Sequence, residues 1–218
     1  MTKIMAVANQ KGGVGKTTTS INLAASLAAK SHKVLLIDLD PQGNATMGSG
    51  INKSTLECSS YDVIMGEAPL NESILNIEHC NYSLLPGNGD LTGAEVSLLD
   101  EIGRELRLRQ ALTSINGQYE FVIIDCPPAL SMLTVNALTA ADSVIIPMQC
   151  EYYALEGLSA LLDTVEKIRK LLNPRLRVEG LLRTMFDARN NLSTQVSAQL
   201  VKHFGDKVYR TIIPRNVR

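Results

Sequence analysis

Apolar runs without polar alternation recur along this chain, separated by stretches of helical period. Ile4–Ala8, Val34–Ile37, Phe121–Ile124 and Ser143–Ile146 each read as a strand buried on both faces, the pattern of a parallel sheet covered by helices. Val178–Met185 and Val208–Ile213 read as two further strands. Ala154 to Leu172 carries apolar residues at 154, 155, 158, 161, 162, 165, 168 and 172, a helical stripe that Asn173-Pro174 stops. A second helix is expected to begin with Ser193 as its cap, to turn Val196, Leu200 and Phe204 inward, and to end at Gly205. The β-α-β alternation predicts an α/β fold, a doubly wound and mainly parallel sheet with helices on both faces and ligands at the carboxyl ends of its strands.

The first connection carries the chemistry. After Ile4–Ala8 comes Asn9-Gln10, then KGGVGKTTT from Lys11 to Thr19. Gly12, Gly13 and Gly15 lack Cβ, so successive backbone N–H groups can turn inward around an anion. The following helix adds the positive end of its dipole. Lys16 can reach the outer phosphates and the Thr17 hydroxyl can hold Mg²⁺. This is the pattern of a P-loop NTPase, with a nucleoside triphosphate as ligand.

Strand-end carboxylates complete the metal chemistry. Asp38 and Asp40 close the second strand in LLIDLDPQGN, and Asp125 closes FVIID ahead of Cys126-Pro127-Pro128. Taken alone, such aspartates are more often turn residues or helix caps; behind a phosphate loop, in this order, they point to Mg²⁺ held directly or through water. Asp125 and Asp38 are the candidates for the metal shell and Asp40 for orienting the attacking water. The sequence does not separate the last two roles.

Composition narrows the class. The chain has 218 residues, 45% of them hydrophobic, enough for a sizeable core in one domain. No run approaches the roughly 18 apolar residues of a membrane span and no secretory segment follows Met1. Cys58, Cys80, Cys126 and Cys150 are scattered, as reduced thiols in a cytoplasmic protein would be. The net charge of −1 hides a segregation: residues 1–166 hold 9 Lys/Arg against 19 Asp/Glu, and residues 167–218 hold 12 against 3. The basic end suits a polyanion, and its few aromatics favour phosphate contact over base stacking; a solvated helix face is the competing explanation.

The phosphate loop departs from the usual G-x-x-x-x-G-K-[ST], with Gln10 where the first glycine would stand and a second lysine, Lys11, beside Gly12. In this it resembles the deviant loop of the MinD/ParA branch of P-loop ATPases. KGGVGKTT, VLLIDLDPQGNAT, FVIIDCPP, IPMQCEYYALEGL and VYRTIIPRNVR together resemble a ParA/Soj chromosome-partitioning ATPase, from residue 3 to the last residue; about 52–88 is the least diagnostic stretch. The resemblance implies a weak ATPase using ATP and Mg²⁺, an ATP-dependent homodimer, and non-specific binding of that dimer to duplex DNA on the nucleoid. It also implies a ParB/Spo0J-type centromere-binding partner that stimulates hydrolysis.

Carried over position by position, Lys11 would cross the dimer to the partner's nucleotide. Gly12, Gly13, Val14, Gly15, Lys16, Thr17 and Thr18 would cradle the phosphates. Pro214, Arg215 and Asn216 would line the adenine pocket, and Arg189 and Arg218 would face DNA. Family members continue past this ending through a loop and a terminal helix, which this chain is expected to lack.

Three rivals share the loop. A MinD-like membrane-associated ATPase calls for a C-terminal basic amphipathic helix, which these residues are not expected to supply. A cluster-carrying ATPase related to the nitrogenase iron protein calls for cysteines at a dimer axis. An ATP-dependent metabolic ligase would turn over ATP only with its small-molecule substrate.

Overall fold

The computed structural model describes residues 2–216. Eight strands form one sheet: β1 Lys3–Val7, β2 Val34–Asp38, β3 Leu75–Ile77, β4 Tyr82–Leu85, β5 Phe121–Asp125, β6 Ser143–Met148, β7 Arg177–Phe186 and β8 Val208–Pro214. Their order is β3-β4-β2-β5-β1-β6-β7-β8. Only the β3–β4 pair is antiparallel among the described residues; every other neighbour runs parallel. The helices are α1 Lys16–Ala28, α2 Asn44–Gly48, α3 Ser60–Met65, α4 Leu91–Ser97, α5 Arg107–Leu112, α6 Met132–Ala140, α7 Ala154–Leu171 and α8 Asn191–Phe204.

Strand side chains alternate between the two faces, and each face has its own core. Ala6, Leu35, Ile37, Val122, Ile124, Val144 and Ile146 meet α3 to α8. Met5, Val7, Val34, Leu36, Ile123 and Ile145 meet α1 and α2. Because both faces are covered, the strand interiors have no polar alternation, which is why these runs are legible as parallel strands. The register puts Val7 beside Asp125 and Asp38 beside Asp125, so the ends of β1, β2 and β5 come level.

One local expectation is corrected. The cap of α8 is Asn190, whose carboxamide oxygen accepts the N–H groups of Leu192 (2.9 Å) and Ser193 (3.4 Å); Ser193 is already inside the helix and buried. Asn190 wins because its side chain sits where the free N–H groups of the first turn converge. The stretch 52–88, to which no element is assigned from sequence, holds β3, β4 and α3. Residues of β3 and β4 form a short edge hairpin around Asn81 in the left-handed region.

Candidate active site

The loop from Lys11 to Lys16 crosses the carboxyl end of β1 and runs into α1. Gly13 and Gly15 both take positive φ, +72° and +86°, a backbone that a side chain would strain. Gly15 is the N-cap of α1 and offers no side-chain acceptor, and no acidic residue stands in the first turn. The N–H groups there are left for an anion. Two struts hold the loop from outside: Thr184 Oγ1 donates to the Val14 carbonyl at 2.7 Å, and Gln149 Nε2 lies 3.3 Å from the Gly13 carbonyl.

The two lysines of the loop have opposite surroundings. Lys16 is buried, its Nζ 3.2 Å from the Lys11 carbonyl. Burial lowers its pKa, and the carboxylates of Asp125 and Asp40 pull it back. Lys11 projects outward, about half exposed, and pairs with Glu151 in the loop after β6.

Asp125 ends β5 fully buried. Ser20 Oγ stands 2.8 Å from its Oδ1, while Oδ2 has no hydrogen-bond partner among the described residues. Burial, then the charge of Asp38, raises its carboxyl to about 7 against the opposing effect of the Thr17 and Ser20 hydroxyls. A buried carboxylate with one free oxygen beside a threonine hydroxyl fits a divalent cation, which would supply both a ligand and a countercharge. No cluster of three or more His, Cys, Asp or Glu side chains occurs among the described residues. Mg²⁺ would therefore be held jointly with phosphate oxygens, its ordinary habit in nucleotide sites.

The metal-shell expectation for Asp38 meets a different geometry. Both its oxygens are occupied within the chain: Oδ2 accepts the N–H (2.8 Å) and hydroxyl (2.7 Å) of Thr46, and Oδ1 accepts the N–H of Asp40 (3.2 Å). Burial raises it to about 6, with the Thr46 bonds opposing. Asp38 thus fastens the loop that presents Asp40. Asp40 closes its own turn by accepting the Gln42 N–H at 2.9 Å and lines the cavity with Lys16 and Thr17.

That cavity has a volume of about 640 Å³ and is lined by Gly12, Gly13, Gly15, Lys16, Thr17, Thr18 and Asp40 among the residues expected from sequence. Val14 is buried behind it. Pro214, Arg215 and Asn216 are exposed just past Ile213, and it is Ile213 that reaches the lining. Gln42, Asn44 and Pro128, which stand within the quoted motifs without an assigned role, also line it, as does Met185, which carries no sequence signal of its own. Met185 has φ +47°, strained for a side-chain-bearing residue, at the irregular end of β7. Arg189 lies on the loop after β7, exposed, forked onto Asp187 at 3.0 and 2.8 Å. Arg218 lies outside the described residues.

A phosphate cradle, a strand-end carboxylate and a buried loop lysine on a parallel sheet define a P-loop ATPase, and the second lysine places it in the deviant-loop class. Comparison with known proteins agrees. A family model described as an AAA domain matches residues 2–178. The sporulation initiation inhibitor protein Soj of Bacillus subtilis is 55% identical over 218 residues, covering 100% of this chain and 86% of that protein. The chromosome partitioning protein ParA of Caulobacter vibrioides is 53% identical, covering 99% and 82%. The chain belongs to the ParA/Soj family of chromosome-partitioning ATPases, and ATP with Mg²⁺ is its cofactor pair.

Among solved structures, cobyrinic acid a,c-diamide synthase from Mycobacterium smegmatis with bound ADP and magnesium superposes with a TM-score of 0.94 at 41% identity, covering 100% of this chain and 89% of that one. A plasmid partition protein from Borrelia burgdorferi superposes at 0.82 with 30% identity, covering 99% and 90%.

Proposed function

We propose that this partitioning ATPase works as an ATP-dependent sandwich dimer that grips duplex DNA without sequence preference, and that a ParB-type partner ends this state by stimulating hydrolysis. The observation that carries the reading is the division between the two loop lysines. Lys16 is enclosed in its own phosphate site, whereas Lys11 stands at the rim on an exposed ion pair with Glu151, where it can serve another chain's nucleotide. Within the subunit, the loop N–H groups and Lys16 hold the phosphates and Asp125 with Thr17 holds Mg²⁺, which neutralises phosphate charge when bound. Asp40, positioned by Asp38, orients water. Arg189, together with Arg218, supplies phosphate contacts to DNA, and the nucleoid is where the active form resides. Asn216 and its neighbours Pro214 and Arg215 close over the adenine beside Ile213.

The test is binding to random-sequence duplex DNA with ATP, a slowly hydrolysed analogue, ADP or no nucleotide. Binding confined to ATP and the analogue, and lost with added salt, is the expected result; equal binding in all four states refutes it.

A ligase reading draws on the likeness to the diamide synthase. It requires ATP turnover that depends on a small-molecule acceptor and ignores DNA. The higher identity to Soj and ParA favours partition. As for a membrane-associated role, no helix among the described residues is long and apolar enough to cross a membrane.

A further inference from the structure

The basic residues of the last quarter of the chain do not share one surface. Strand β7, Arg177–Phe186, spans about 30 Å. Arg189 follows its carboxyl end, where Thr184 and Met185 line the nucleotide cavity. Arg175 and Arg177 stand at its amino end, at the opposite end of the sheet. There they meet Lys3, at the start of β1, and Arg109 of α5 around a separate cleft of about 920 Å³. Ile4, Leu112 and Ala140 give this cleft an apolar lining.

Its charges are unevenly matched. Glu179 takes both Lys3, at 2.6 Å, and Arg177, at 3.8 Å. Asp142, the carboxylate that lines the cleft, is turned to the backbone, its Oδ2 accepting the Ile4 N–H at 2.9 Å. Arg109 has one long contact, 3.4 Å to the Leu172 carbonyl at the end of α7. Arg175 has no hydrogen bond or ion pair among the described residues. A guanidinium carries five N–H donors in a planar fork that matches phosphate oxygens. Capping the carbonyl end of α7 uses one donor of Arg109 and none of Arg175.

The shape narrows the ligand. Small-molecule sites occupy about 300–1,000 Å³ and combine apolar lining with a few placed polar groups. Duplex phosphates lie on the outside of a cylinder that does not enter such a cleft, and the apolar lining would have no use against them. We propose that the cleft is a second ligand site, separate from the phosphate loop, for a phosphorylated small molecule of nucleotide size. Its phosphates lie between Arg109 and Arg175, and its uncharged part covers Ile4, Leu112 and Ala140. The inference stands apart from the reading of dimerisation and DNA binding above.

The probe is adenosine 3′,5′-bisphosphate, which lacks the 5′-polyphosphate chain that the phosphate loop cradles. It is added to protein saturated with ADP and Mg²⁺, with adenosine and pyrophosphate as comparators. Calorimetric titration should show the bisphosphate binding about tenfold or more tightly than either comparator. Backbone amide NMR shifts should move at Ile4 and Ala140 and stay put at Gly13 and Gly15. Arg109→Gln/Arg175→Gln should lose about tenfold or more of that affinity, with thermal unfolding and basal ATP turnover unchanged. Absent binding, shifts confined to the phosphate loop, or affinity that survives the double substitution overturns the proposal. Pyrophosphate binding as tightly as the bisphosphate also overturns it, because loose attraction of charge is then sufficient. So does a loss of ATP-dependent DNA binding in the double variant equal to that in Arg189→Glu, because both arginines then belong to the DNA surface.

Discussion

The Ser20 hydroxyl stands between two acceptors, 2.8 Å from Asp125 Oδ1 and 3.0 Å from the Lys16 carbonyl, with a single proton to give. The shorter contact is to the charged group, so a residue one turn into α1 ties the phosphate-loop helix to the end of β5. Ser20→Ala leaves a buried carboxylate oxygen without its donor, which costs about 1–3 kcal/mol. Thermal unfolding of the nucleotide-free protein should show a midpoint lower by several degrees. Isothermal titration should show weaker Mg-ATP binding, and an unchanged midpoint would mean that water replaces the hydroxyl.

Lys16→Ala and Lys11→Ala should separate binding from assembly. The first removes the enclosed cation and with it nucleotide affinity. The second leaves the enclosed site intact, so ATP still binds while the dimer does not form. Light scattering with ATP checks this: a Lys11→Ala protein that dimerises fully has no trans lysine at that position.

Asp40→Ala should dimerise on ATP and stay on DNA, because the group that orients water is gone while the phosphate cradle is untouched. Turnover should fall by tenfold or more, on the scale of about 10²–10⁴ for the loss of a positioned base. Normal turnover would move the role elsewhere.

Asp187 and Arg189 share one fork, and the guanidinium holds the Asp187 carboxyl down at about 2. A depressed carboxyl contributes to folding above the ordinary carboxylate range and loses that contribution as pH falls through about 2. NMR titration should place Asp187 there in the native protein and nearer the ordinary value, about 4, in Arg189→Gln. Arg189→Glu should weaken binding to every DNA sequence alike and flatten the salt dependence by a log–log slope of about 0.9. Asp187→Asn, which frees the guanidinium, should tighten it.

The parallel strands and the nucleotide loop are plain in the chain itself because their chemistry is local. Val34–Ile37 is apolar throughout since both faces of the sheet are covered, and KGGVGKTT needs its glycines for the backbone it adopts. What escapes sequence reading depends on distant partners. Ser20 looks like any polar helix residue until β5 brings Asp125 beside it. Asp38 reads as a metal-shell candidate because nothing nearby in the chain announces that Thr46 binds its Oδ2 while the Asp40 N–H binds its Oδ1. Leu75–Ile77 and Tyr82–Leu85 are too short, and too interrupted by Asn76 and Ser83, to declare a pair of edge strands. Ile213 rather than Pro214 reaches the cavity because β8 runs to Pro214 before the chain leaves the sheet.

The Lys11–Glu151 pair has a thermodynamic implication of its own. Both side chains are about half exposed, so the attraction between them is worth at most about 1 kcal/mol. A lysine held so lightly is kept extended near the rim without being trapped there. In the proposed dimer, transfer of Lys11 to a second chain's phosphates would begin by leaving this one weak carboxylate contact, so the threshold for leaving would be low. Ease of assembly would then reside in the weakness of a single surface contact, and strengthening that contact would slow assembly, whereas abolishing it would leave the lysine free to wander.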